Sequence, residues 1–248
     1  MMKPAELMAR AFELKDALLD VYDPEAVILF GSLGRGDADE FSDVDLLVVM
    51  ETDRDTRSLG EEMIRHLDSL ARDKHVIVRT PAEFCRWKDI PGTLVFSAVK
   101  EGRTLFEKAG WQGRHEPTDS YQVRKREVIR QRYIKEAHDF QARAEASLQG
   151  GSLFRARDQA KFAAARALKA LFVYHDTHPP RETDLVSLLT KARGLTPGLG
   201  VHTAFLRELN AYCPGGRDAA EIRTSRRLVE RTAAFIEETA GRLLSSPP

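Results

Sequence analysis

Apolar positions along the first hundred residues change period several times. Met8, Phe12, Leu14, Leu18 and Leu19 recur at helical spacing until Asp23-Pro24 interrupts them, which predicts a helix. Ala26 to Phe30 is a short apolar run bounded by Pro24 and Gly31, and it reads as a buried strand. A polar turn follows, and Val44 to Met50 gives a second strand. Thr56 to Leu70 is amphipathic at helical period, and His75 to Arg79 is a third strand closed by Thr80-Pro81. A helix over Gly92 to Lys100 and a brief strand at Thr104 to Phe106 end the unit. Strands alternating with helices predict an α/β arrangement over residues 1–110.

Residues 111–120 carry Gly113 and Pro117 in a polar stretch and read as a linker. Beyond it the strand period disappears. Tyr121 to Leu148, Phe154 to His175, Asp184 to Arg193, a segment around Leu206 to Tyr212, and Asp218 to Leu244 all show helical spacing. Gly150-Gly151, Pro179-Pro180, Pro197-Gly198 and Pro214-Gly215-Gly216 separate them. Short breaks of this kind predict an all-α antiparallel bundle over residues 121–248.

Composition narrows the class without naming it. The chain is 42% hydrophobic and 31% charged, ordinary for a globular protein. No apolar run reaches the roughly 20 residues that cross a bilayer, so no membrane association is expected. Met1 to Arg10 lacks the apolar stretch of a secretory signal, and Cys85 and Cys213 stand far apart without a CxxC partner. A reducing cytoplasm is the expected location. The 38 basic and 38 acidic residues cancel, but unevenly. Residues 1–110 hold 15 Lys/Arg against 22 Asp/Glu, net −7, and the remainder is net +7.

The candidate chemistry lies in the acidic half. Gly31-Ser32 follows the first strand directly, ten residues intervene, and Asp43-Val44-Asp45 opens the second. Side chains alternate along a strand, so Asp43 and Asp45 are expected on one face. Two carboxylates at the mouth of an apolar sheet call for a cation, and Mg²⁺ accepts one or two carboxylates together with phosphate oxygens. Gly31 permits close backbone approach, and the Ser32 hydroxyl with the N–H groups of a short following helix can hold phosphates.

This pattern resembles the GSx10DxD signature of minimal nucleotidyltransferases in the DNA polymerase β superfamily. Thr80-Pro81-Ala82-Glu83-Phe84 is similar to the family's segment after the third strand, and Glu101 to Phe106 to its closing E-G-x-x-L-Y. The resemblance covers about residues 5–108. It implies a nucleotidyltransferase fold with a mixed sheet, NTP (ATP above others) as substrate, two Mg²⁺ ions, and Asp43 and Asp45 as their ligands. Gly31, Ser32 and Arg35 are the expected nucleotide-binding residues. The second half resembles a HEPN domain at Tyr133 to Phe140, Ala165 to Leu171 and Pro180 to Leu185. That likeness implies a homodimer formed through the helical half and a toxin–antitoxin-like setting.

The family's third carboxylate has no direct counterpart. Counting back from Pro81, its position is His75; Asp73 shares the strand parity and is the alternative. His75 can accept a proton near neutral pH but brings no negative charge to a metal. Three functions are therefore weighed. The first is NMP transfer from NTP to a hydroxyl, with a protein side chain among the candidate acceptors. The second is a catalytically weakened nucleotide-binding or regulatory module. The third is an aminoglycoside-type nucleotidyltransferase, against which the net basic second half argues. Arg132 to His138 is the only stretch with the Rx4-6H spacing of HEPN ribonucleases, and it falls on the first helix rather than where that family keeps its active site. Aromatics interleave sparsely with the basic residues Arg124, Lys125, Arg126, Arg130 and Arg132, so nucleic acid is not an expected partner.

Overall fold

The computed structural model describes residues 4–71, 73–111, 116–216 and 218–245. Residues 112–115, part of the stretch read as a linker, lie outside the described residues. The chain divides into two compact units, Met1–Ser120 and Tyr121–Pro248. The first is an α/β unit with a four-stranded mixed sheet, the second is helical.

In the first unit α1 (Pro4–Val21) precedes β1 (Ala26–Phe30), which runs straight into α2 (Gly31–Arg35). Then come β2 (Val44–Val49), α3 (Thr56–His66), β3 (Lys74–Arg79), α4 (Pro81–Trp87), α5 (Leu94–Glu101) and β4 (Arg103–Glu107). The spatial order is β3-β2-β1-β4. β1 is antiparallel to both β2 and β4, while β2 and β3 are parallel.

Both faces of this sheet are covered, which explains why its strands read as unbroken apolar runs rather than alternating ones. Val27 and Leu29 of β1, Val44, Leu46 and Val48 of β2, and Val76 and Val78 of β3 pack with the buried face of α1 (Leu7, Ala11, Leu14, Leu18) and with Leu59 and Met63 of α3. Ala26, Ile28, Leu47 and Val49 face the other way, toward Phe84, Cys85, Val95, Ala98 and Trp111. The alternation matters for the site, because Asp45 belongs to the second set.

α4 was not foreseen from periodicity, being seven residues long. Its signal was local: Thr80 Oγ1 accepts from the Glu83 N–H at 3.1 Å, and Glu83 Oε2 accepts from the Thr80 N–H at 3.0 Å. With Pro81 in the first turn this is a complete capping box.

The second unit holds α6 (Tyr121–Val128), a π-helical segment (Ile129–Ile134), α7 (Lys135–Gln149), α8 (Leu153–Tyr174), α9 (Leu185–Arg193), a 3₁₀ turn (Leu199–His202), α10 (Thr203–Ala211) and α11 (Ala219–Leu244). Alanine-rich α8 is the centre, and α7, α9, α10 and α11 pack against it. Small side chains on α8 let its neighbours approach closely, and Asp184 and Asp218 cap α9 and α11 with side-chain acceptors. Among the described residues no helix is long and apolar enough to cross a membrane.

Candidate functional site

Strand pairing brings the predicted residues to one end of the sheet. The antiparallel register sets Phe30 opposite Asp45, so Gly31 leaves β1 where β2 begins. The parallel register sets His75 beside Asp45. His75 Nδ1 lies 3.1 Å from Asp45 Oδ1 and 3.6 Å from Asp43 Oδ2. Asp43, Asp45 and His75 thus share one face, as the period-two reading of β2 requires. An ionised carboxylate can only accept, so Nδ1 carries the hydrogen and Nε2 of the neutral ring is left as an acceptor.

Gly31 closes the corner. Its φ is +69°, and a Cβ there would stand 2.0 Å from Asp45 Oδ2. The carboxylate therefore occupies the space of the missing side chain, and glycine is required twice over, for conformation and for room. Asp45 is the most enclosed of the three, with its side chain 24% exposed against 39% for Asp43 and 63% for His75. Burial pushes the Asp45 carboxyl above its ordinary value. The hydrogen bond and charge of His75 pull it back, the like charge of Asp43 adds to the rise, and Arg35 opposes it.

Ser32 and Arg35 sit on α2, the short helix expected after Gly31. The Ser32 hydroxyl has no hydrogen-bond partner among the described residues. The Ser32 carbonyl accepts from the N–H groups of Gly36 and Asp37, both at 3.0 Å. Gly36 ends the helix at φ +84°. Arg35 donates from Nε to Asp37 Oδ2 at 3.2 Å and pairs through Nη2 with Asp37 Oδ1 at 3.1 Å, and its Nε lies 3.9 Å from Glu101 Oε2.

Asp73 stands just ahead of β3, where its carbonyl accepts from the Val44 N–H at 3.2 Å. It is His75 that meets the aspartate pair. Asp73 instead joins Asp43, Leu7, Arg10, Phe41 and Leu70 around a neighbouring cavity of about 570 Å³.

Two glycines bear on the site without having been expected there: Gly34, which the sequence reading passed over, and Gly102, which it named only within the closing segment Glu101 to Phe106. A Cβ on Gly34 would fall 2.7 Å from the Leu29 carbonyl oxygen and 3.4 Å from Gly102 Cα. One on Gly102 would fall 2.3 Å from the Ala98 oxygen and 2.7 Å from that of Leu29. These glycines press α2 and the α5–β4 junction onto the end of β1, and carry Glu101 to Arg35. The second glycine of Gly31-Ser32-Leu33-Gly34 was the available signal.

Among the described residues no three His, Cys, Asp or Glu side chains are grouped to enclose a metal ion. The two carboxylates alone form a sparse, hard-oxygen donor set, which fits an ion that keeps water and substrate oxygens as its other ligands.

Residues 13–104 match the family model described as nucleotidyltransferase domain. No curated protein matches the sequence. Among solved structures, a nucleotidyltransferase-like protein from Exiguobacterium sibiricum superposes with a TM-score of 0.47 at 14% identity, covering 93% of this chain and 78% of that one. The spectinomycin adenyltransferase from Enterococcus faecialis, solved with ATP and spectinomycin, superposes with a TM-score of 0.50 at 11% identity, covering 94% and 99%. The chain thus carries a nucleotidyltransferase-like fold in its first unit, followed by a mostly helical region.

Proposed function

We propose that the first unit transfers NMP from an NTP, ATP above others, to a hydroxyl acceptor such as a protein side chain. The observation that carries this reading is the corner itself: the Asp45 carboxylate lies where a side chain at Gly31 would stand, with Asp43 and His75 adjoining. Such a close fit between a glycine turn and a carboxylate is what a phosphate-binding edge beside a cation site requires.

Asp43 and Asp45 would hold Mg²⁺, whose charge, as two ions, offsets that building on the transferring phosphoryl group and on the attacking and leaving oxygens. The Ser32 hydroxyl and the Arg35 guanidinium serve the terminal phosphates. The acceptor oxygen forms its bond to the α-phosphorus as the bond to the bridging oxygen breaks, and pyrophosphate leaves. His75, oriented through Nδ1 by Asp45, takes the acceptor proton on Nε2. Most of the catalysis is positioning and charge neutralisation.

Incubation with ATP labelled at the α-phosphate and Mg²⁺, with the chain itself and candidate acceptors present, tests this. Transfer that disappears in Asp43→Asn/Asp45→Asn supports it, and equal labelling by that variant removes it. Spectinomycin belongs among the acceptors, since the structural neighbour is a spectinomycin adenyltransferase. Resistance conferred on an expressing strain would identify the drug-modifying variant of the reading.

One observation favours a second reading, nucleotide binding without turnover. A histidine, which supplies no negative charge, is the third group beside the aspartate pair. Calorimetric binding of Mg·ATP with no transfer, and transfer gained by His75→Asp, would select it. The helical unit, by its resemblance to HEPN domains, is read as the dimerising half, which sedimentation of the full chain checks.

A further inference from the structure

Arg35 and Glu101 lie 66 positions apart in sequence and belong to α2 and α5, yet the fold leaves them little choice but to meet. Each is adjacent to a glycine, Gly34 and Gly102, and these two glycines close on the same carbonyl oxygen of Leu29. Neither position tolerates a Cβ, so the backbones on which Arg35 and Glu101 stand are fixed relative to each other and to the end of β1. β4 then starts at Arg103, paired with Leu29.

The guanidinium is constrained along one edge. Asp37 accepts the Nε hydrogen and stands 3.1 Å from Nη2, and Glu101 approaches the same Nε at 3.9 Å from a different element. A guanidinium has five N–H donors in a rigid plane, so an acid pair on the Nε edge leaves Nη1 as the donor still on offer. Nη1 has no partner among the described residues. The Arg35 side chain is only 23% exposed, and its charge reaches Asp45.

We infer that Glu101, acting with Asp37, is a positioning residue that holds the Arg35 guanidinium with its Nη1 edge toward the triphosphate. The inference rests on the reading of this cleft as a nucleotide site and deepens it: Glu101 touches no substrate and acts only through Arg35. Its loss frees a long side chain to sample other rotamers, and part of the charge-assisted hydrogen bond to phosphate is lost with that freedom.

The test is a binding cycle using Mg²⁺ with α,β-methylene-ATP, an analogue that cannot release pyrophosphate, titrated calorimetrically into the full chain. Arg35→Ala is expected to weaken binding about tenfold or more, the worth of one charge-assisted bond. Glu101→Gln is expected to weaken it about threefold to tenfold and to have no further effect in the Arg35→Ala background. Glu101→Asp falls between, and serves for the same cycle should thermal melting show Glu101→Gln unfolded. Where the labelled reaction proceeds, Glu101→Gln raises KM for the nucleotide more than it lowers kcat. Unchanged affinity in Glu101→Gln, an equal loss in both Arg35 backgrounds, or no binding by the wild type would each overturn the inference. Binding with the expected coupling but no transfer would leave it standing and overturn the transferase reading. Transfer with no coupling would do the reverse.

Discussion

Replacing Gly31 with alanine measures how tightly the turn after β1 is built against Asp45. Two costs arise. A Cβ at φ +69° strains the backbone by about 1–2 kcal/mol. The same Cβ would stand 2.0 Å from Asp45 Oδ2 and 3.0 Å from Asp45 Cγ, where carbon and oxygen ordinarily approach no closer than about 3.3 Å. The carboxylate must therefore swing away, give up its bond from His75, or push β2 aside, an overpacking cost of about 1–3 kcal/mol. The total, about 2–5 kcal/mol, is a large share of a domain's stability. In an Asp45→Ala background the closest remaining contact is with Asp45 Cβ at 3.3 Å, and only the backbone cost of about 1–2 kcal/mol should persist. Urea unfolding of the four proteins, followed by circular dichroism and extrapolated linearly, gives the coupling as the difference. A Gly31→Ala cost that is the same in both backgrounds, within about 0.5 kcal/mol, would refute the shared-space argument.

The remaining expectations follow from named contacts. Asp45 has its folded pKa raised above 3.8 by burial, so stability falls as pH rises from 3.8, and the cost of the charged form is complete above the raised value. Asp45→Asn, which still accepts from His75, should raise Tm at neutral pH, and melts should show the gain fading as pH falls through the raised value toward 3.8 and gone below it. Gly102→Ala drives a methyl to 2.3 Å from the Ala98 oxygen and should destabilise the first unit by about 1–3 kcal/mol in denaturant titration. Thr80→Ala removes the acceptor of the α4 capping box and should cost about 1 kcal/mol in the same assay. In the second unit Glu182 is held down to about 2 by Lys191, its own backbone N–H and Ser187. The stability it contributes is complete above its ordinary 4.5 and is lost as pH falls toward 2, so a carboxyl NMR titration should place its midpoint near the lower value.

Local signals carried most of the element map, because they are written in neighbouring residues. β1, β2 and β3 agree with the apolar runs to within a residue, and α8, α9 and α11 begin and end near the Gly, Pro and Asp punctuation that announced them. The failures have physical causes. The helix read over Thr56 to Leu70 stops at His66, with a non-helical turn beyond it, because apolar spacing alone does not mark a helix end. Tyr121 to Leu148 reads as one helix, but its middle is π-helical. Its buried pairs Val128 and Tyr133, and Ile129 and Ile134, are each five residues apart, a shift too small to separate from helical spacing by eye. Sheet order could not be read at all, since which strand pairs with which depends on contacts distant in sequence.

The site divides in the same way. Asp43 and Asp45 were legible because alternation along one strand is a local rule, and Gly31-Ser32 because a glycine after an apolar run marks a turn. That His75, and not Asp73, meets the aspartates depends on the parallel register of β2 with β3, in which Asp45 pairs with His75. A slip of one residue would have turned every side chain of β3 to the opposite face and buried the imidazole. The alternation of Val76 and Val78 with Ile77 forbids that slip, because the first two fill the core beneath α1 and α3. The position of the histidine is thus set by valines whose side chains fill the core on the opposite face of the sheet. Val76→Asp/Val78→Asp should accordingly unfold the first unit rather than shift the strand, and recovery of a folded protein with the register moved by one would contradict that account.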